Sequence, residues 1–118
     1  MYFLADKLYS LRYYWVIEIE IEILPEFAKW AHGLKDIKAK VKIADRIDRM
    51  KKGNLGDHKS VGKGVSECRI DYGPGYRLYF GRKGNTLIII LAGSTKKEQD
   101  NIIKSAQNQW AELKKEQN

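Results

Sequence analysis

Arg69 and Arg77 hold positions of matching parity in two segments that alternate like β-strands. In Val65–Asp71, Ser66, Cys68 and Ile70 alternate with Val65, Glu67 and Arg69. In Tyr76–Arg82, Tyr76, Leu78 and Phe80 alternate with Arg77 and Tyr79. Successive strand side chains point to opposite faces, so if Cys68, Ile70, Leu78 and Phe80 face a core, both arginines leave the other face. The turn Tyr72-Gly73-Pro74-Gly75 joins the segments into a hairpin, which brings the guanidiniums together. Two such groups on one face suit a phosphodiester, whose developing negative charge they stabilise. Lys96 and Lys97 open the last helix, where backbone N–H groups add positive potential. Lys59 and Lys63 lie on a glycine-rich stretch entering the same sheet. Tyr79 is expected to stack on a base, and His58 is a candidate general acid or base for phosphoryl chemistry. Glu67 and Asp71 share the arginine face and offer salt bridges as the competing use of these cations.

The charge distribution points to the same region. The 118-residue chain has 22 Lys/Arg against 15 Asp/Glu, a formal charge of +7. Residues 51 to 97 hold ten basic and three acidic residues, so this segment carries the whole excess. A localised basic surface attracts a polyanion, nucleic acid first.

Several chemistries are not expected. One cysteine, Cys68, rules out an internal disulfide and a cysteine-based zinc cluster. With two histidines, His32 and His58, a multi-histidine metal site is improbable, and neither metal nor cofactor is expected. There is no GxxxxGK[ST], HExxH or C-x-x-C motif. The longest apolar run, Leu87 to Ala92, is too short to span a bilayer; a cytoplasmic protein is expected, with no membrane partner.

These residues need a scaffold, and the pattern implies an α+β fold of order βααβββα in one domain, residues 16–118. Val16 to Leu24 alternates isoleucine with Glu18, Glu20 and Glu22, a strand with one wet face. Pro25 starts a short helix ending at Gly33, with Phe27, Trp30 and Ala31 on one side. Asp36 caps a second helix to about Lys51, with Ile37, Val41, Ala44 and Ile47 as the expected buried stripe. Gly53 to Gly64 reads as a loop. Thr86 to Ala92 is apolar on both faces, hence a central strand. The expected sheet has four mainly antiparallel strands, order 1-4-3-2, with a helical hairpin on one face and a C-terminal helix. Thr95-Lys96-Lys97-Glu98 is a capping box for that last helix, whose apolar stripe is Ile102, Ile103, Ala106, Trp110 and Leu113.

The order of elements, the strings Gly73-Pro74-Gly75-Tyr76-Arg77-Leu78-Tyr79-Phe80 and Leu91-Ala92-Gly93-Ser94-Thr95-Lys96-Lys97, and the pieces Gly53-Asn54-Leu55-Gly56-Asp57-His58-Lys59 and Glu67-Cys68-Arg69-Ile70 together resemble the RelE/ParE toxin superfamily. They are most similar to its HigB-like, phage-derived "addiction module killer protein" branch, over about residues 16 to 113. The resemblance implies the toxin of a type II toxin–antitoxin system, an mRNA interferase that cuts mRNA on the ribosome. In that reaction the ribose 2′-hydroxyl attacks the adjacent phosphodiester and leaves a cyclic phosphate. By the same resemblance Arg77 stabilises the phosphate, while Arg69 and Lys97, with Lys96 beside it, position it or share proton transfer. Lys59, Lys63, Tyr79, Lys96 and His58 are then expected to contact RNA. The implied partner is an antitoxin, a helix-turn-helix DNA-binding protein. RelE-type enzymes often carry a C-terminal tyrosine, and Ile103 stands at that position here. Two alternatives stay open: a ParE-like toxin that inhibits DNA gyrase without cutting RNA, and a non-toxic RNA-binding protein of phage origin. Family members commonly begin at the first strand, so residues 1–15 are expected to be an N-terminal extension, docked on the strand edge or translated from an upstream start codon.

Overall fold

A computed structural model describes residues 18 to 116; the expected extension, residues 1–15, and the start of the expected first strand lie outside the described residues. The fold is α+β with a mixed five-stranded sheet, where four strands were expected. The order along the chain is β1 (Glu20–Ile23), α1 (Pro25–His32), α2 (Ile37–Lys51), β2 (Asp57–Gly62), β3 (Val65–Ile70), β4 (Tyr76–Lys83), β5 (Leu87–Thr95), a 3-10 turn (Lys96–Glu98) and α3 (Gln99–Glu116). The sheet order is β1-β5-β4-β3-β2. β1 runs parallel to β5, and the other pairs are antiparallel.

The extra strand is β2, in the stretch read as a loop. It lies at the sheet edge and all of it but Val61 is exposed. Both faces are wet, so no alternation betrays it. A tight turn at Lys63 (φ 57°) and Gly64 (φ 82°) joins it to β3, a backbone twist that suits a hairpin. The remaining neighbour relations follow the expected ones: β5 is central, flanked by β1 and β4.

Helices cover both faces of the sheet. On one face, Cys68, Leu78, Phe80, Ile88 and Ile90 pack with Phe27 of α1 and Ala39, Ile43 and Met50 of α2. On the other, Val65, Tyr79, Ile89 and Leu91 pack under Ala106 and Trp110 of α3. A strand apolar on both sides must be covered twice, and α3 supplies the second cover. The expected α3 stripe holds, with Ile102, Ile103 and Leu113 partly buried beside Ala106 and Trp110.

The stripe expected on α2 holds only at Ile47, which is partly buried against the core. Ala39, Ile43 and Met50 are the buried residues, whereas Ile37 and Val41 are 75% and 62% exposed and Ala44 is exposed. Both sets fit helical spacing. The start of α2 settles its rotation, because Asp36 caps the helix by accepting from the N–H groups of Lys38 and Ala39 and also accepts a 2.9 Å hydrogen bond from the Tyr72 hydroxyl. That bond, the largest influence on the group, holds the Asp36 carboxyl below its ordinary range.

Two tryptophans fix how closely the helices approach the sheet. A Cβ on Gly81 of β4 would overlap the Trp110 ring, and one on Gly93 of β5 would overlap the Trp30 ring. Each glycine leaves the space that an indole fills.

Candidate functional site

Arg69 and Arg77 are direct register partners across β3 and β4. Directly opposed residues of an antiparallel pair share a face, so the parity argument holds. The side chains converge on Glu67. Its Oε1 lies 3.6 Å from Arg77 Nε and 3.9 Å from Arg69 Nε, and its Oε2 accepts a 2.7 Å hydrogen bond from Gln99 Nε2 at the start of α3.

The two arginines differ in access. The Arg69 side chain is 42% exposed and also pairs with Asp57 Oδ2 at 3.4 Å. The Arg77 side chain is 8% exposed, and its Nη1 donates to the Gly75 carbonyl at 2.8 Å. Of the two carboxylates weighed as partners for these cations, Glu67 engages both: this buried carboxylate neutralises part of their charge, and Arg69 is the one that reaches solvent. The ion pair to Arg77 is too long for a hydrogen bond, so Glu67 Oε1 and Arg77 Nε are both buried without a hydrogen-bond partner. Such half-satisfied charged groups concentrate at functional sites.

A β-bulge shapes the floor. Tyr79 pairs with Ala92 and Phe80 with Ile90, so β5 carries one extra residue there. Beyond the bulge, Ser94 stands opposite Arg77, and its Oγ lies 2.9 Å from the Tyr79 hydroxyl.

The lysines divide. Lys59 is opposite Glu67 in the β2–β3 register, hence on the arginine face. Lys96 and Lys97 are exposed in the turn that follows β5. A Cβ on Gly75 would lie 3.5 Å from Lys96 Cβ and 3.1 Å from Arg77 Nη1, so Lys96 stands beside Arg77. The capping box forms, with Glu98 Oε1 accepting from the Thr95 backbone N–H at 3.3 Å and its hydroxyl at 2.9 Å. Lys63 is not part of the cluster. It sits at the hairpin tip beside Gly64, which abuts Trp110 and Lys114, and from Val65 to Arg69 the strand advances about 13 Å.

Two further expectations are corrected. Tyr79 is fully buried because α3 covers its face, so it cannot stack on a base. Burial, the largest influence, pushes its phenol up to about 12. His58 is opposite Cys68 in the register, on the α1–α2 face and away from the arginines. Its Nδ1 is 3.0 Å from the Gly56 carbonyl, and its ring is 6.5 Å from that of Phe80. Cys68, read as a packing residue, is buried; its Sγ donates to the Leu55 carbonyl at 3.3 Å, and burial raises its thiol to about 11.

The residues that complete the site, Gln99, Ser94 and Asp57, carried no sequence signal as site members. Among the described residues no helix is long and apolar enough to cross a membrane, and no cluster of three or more His, Cys, Asp or Glu could hold a metal ion. The site is thus a polar, cationic rim around one buried carboxylate, where β3, β4 and the start of α3 meet. It can hold a phosphate through Arg69, with Lys59 and Lys96 nearby.

No family model matches the chain. An uncharacterized protein of Haemophilus influenzae (strain ATCC 51907 / DSM 11121 / KW20 / Rd) is 46% identical over 88 residues, covering 75% of this chain and 89% of that protein.

Proposed function

Given that the chain belongs to one family with the Haemophilus influenzae protein, we propose that it is the toxin of a type II toxin–antitoxin system, an endoribonuclease that cuts mRNA on the ribosome. The observation that carries this reading is the opposed pair Arg69 and Arg77 sharing Glu67 at a rim bordered by Lys59 and Lys96. The resemblance of the Gly-Tyr-Arg and Ser-Thr-Lys-Lys strings to RelE/ParE toxins names the class.

In this reading the 2′-hydroxyl oxygen attacks the neighbouring phosphorus, the bond to the 5′ oxygen breaks, and the hydroxyl proton is lost as the leaving oxygen gains one. A cyclic 2′,3′-phosphate and a 5′-hydroxyl remain. Arg69 meets the phosphate first because it is exposed. Arg77 adds charge behind it, and Lys97 and Lys96 approach from the turn before α3. Glu67 is a positioning residue that aims both guanidiniums. Charge focused on the phosphorane in this way stabilises the transition state of such a transfer. A helix-turn-helix antitoxin is the proposed partner.

A second reading, a ParE-like toxin that blocks DNA gyrase without cutting RNA, draws on a specific observation. Tyr79 is buried and His58 faces the other side of the sheet, so neither can move a proton at this rim. Expression of the chain followed by transcript-end mapping and a gyrase supercoiling assay separates the two. New ends inside messages support cleavage, and intact messages with lost supercoiling support the second reading.

A further inference from the structure

On the α1–α2 side of the sheet, α2 and the end of β3 enclose a polar cleft of about 270 Å³ whose walls include Lys42, Asp45, Arg46, Arg49, Arg69 and Asp71. Lys42, Arg46 and Arg49 meet Asp45 and Asp71 there, and Arg69, whose Nε is shared by Glu67 and Asp57, borders the cleft. Asp45 is engaged by Arg49, Nε to Oδ2, at 3.1 Å. Lys42 and Arg46 pair with no carboxylate among the described residues.

Arg46 is built in. Its Nη2 donates to the Asn54 carbonyl at 2.6 Å, and a Cβ on Gly56 (φ +65°) would overlap its guanidinium. Asn54 Oδ1 accepts from the Gly56 N–H at 3.0 Å, which shapes the loop that leaves this room. Lys42 Nζ is held 5.2 Å from the centre of the Tyr72 ring. A guanidinium fixed by backbone keeps its full charge, and its fork geometry suits a phosphate.

We propose that this cleft binds a second backbone phosphate of the same single-stranded RNA, so that the strand passes around the end of β3 from one face of the sheet to the other. The inference rests on the RNA reading above. Arg69 links the two positions: it lines the cleft, and its Nε faces Glu67 and Asp57. A phosphodiester chain presents charges in series and so gains from two cationic positions joined in this way.

The test is fluorescence-anisotropy binding of a single-stranded RNA about ten nucleotides long, across a salt series. The proteins are the full chain, Lys42→Ala/Arg49→Ala, Arg77→Lys, and a charge-matched control, Lys104→Ala/Lys115→Ala. All four altered lysine and arginine side chains in the two double variants are exposed, and circular dichroism checks the folds. The cleft variant is expected to bind about tenfold more weakly at low salt, with a salt slope shallower by about one, while the control stays close to the full chain. If the cleft variant matches the control, the proposal is overturned. Equal competition from polyglutamate and RNA also overturns it, in favour of an acidic protein partner. Loss in Arg77→Lys alone discards the cleft and keeps the RNA reading of the arginine rim; loss in the cleft variant alone leaves RNA bound at the cleft but overturns the path that joins it to that rim.

Discussion

Glu67 Oε1 and Arg77 Nε stand 3.6 Å apart in the interior, with the Glu67 side chain fully buried and Arg77 8% exposed. Each is the other's nearest opposite charge in a region from which water is largely excluded. Glu67→Gln removes that charge and leaves the guanidinium beside a neutral amide. Breaking a buried pair from one side is costly, and the expected loss is about 3 kcal/mol. Urea unfolding checks it: the midpoint falls and the slope stays constant.

The tryptophan seats give a second prediction. Gly81→Ala and Gly93→Ala each push a methyl into an indole, Trp110 on one face and Trp30 on the other. Overpacking of this kind costs about 1–3 kcal/mol. The two sites lie on opposite faces, so the double variant is expected to lose the sum of the single losses. Thermal unfolding followed by tryptophan fluorescence measures all three.

Cys68 has its thiol raised from 9.0 to about 11 by burial. The folded state favours the protonated form, so this contribution is intact below pH 9 and is lost as pH rises toward 11. Stability is expected to fall across that window, and to fall less in Cys68→Ala, where no thiol ionises. Denaturant midpoints through the window test the sign. In the folded protein, alkylation by iodoacetamide is expected to be far slower than for a free thiol and to reach the free rate on unfolding.

Tyr79 offers a parallel titration. Its phenol ionises only near about 12, with burial the largest cause. The difference in near-ultraviolet absorbance between the full chain and Tyr79→Phe is expected to show no phenolate signal near pH 10, where an exposed tyrosine titrates.

Much of this architecture is legible in the alternation of β3, β4 and β5. Parity alone puts Arg69 and Arg77 on one face, and their register confirms it. Parity does not say what covers a face. Tyr79 shares the arginine face, yet α3 lies over it, because the doubly apolar Ile88–Ile90 stretch needs packing on both sides. The edge strand β2 escapes notice because its residues are exposed on both faces. Without that strand His58 has no parity and cannot be assigned to the far side. The rotation of α2 turns on long-range contacts at its start, above all Tyr72 to Asp36, which local spacing does not encode. Glu67 was visible as a possible partner of the arginines, but its full burial depends on Gln99 and α3 arriving from the end of the chain.

The most direct test of the central claim is transcript-end mapping in cells expressing the full chain, with Arg69→Ala and Arg77→Lys expressed at matched levels. The account predicts new 5′ ends within translated messages for the full chain, at least about tenfold fewer in either variant, and none when translation is blocked beforehand. Growth arrest with unbroken messages, or undiminished cleavage in both arginine variants, would contradict it.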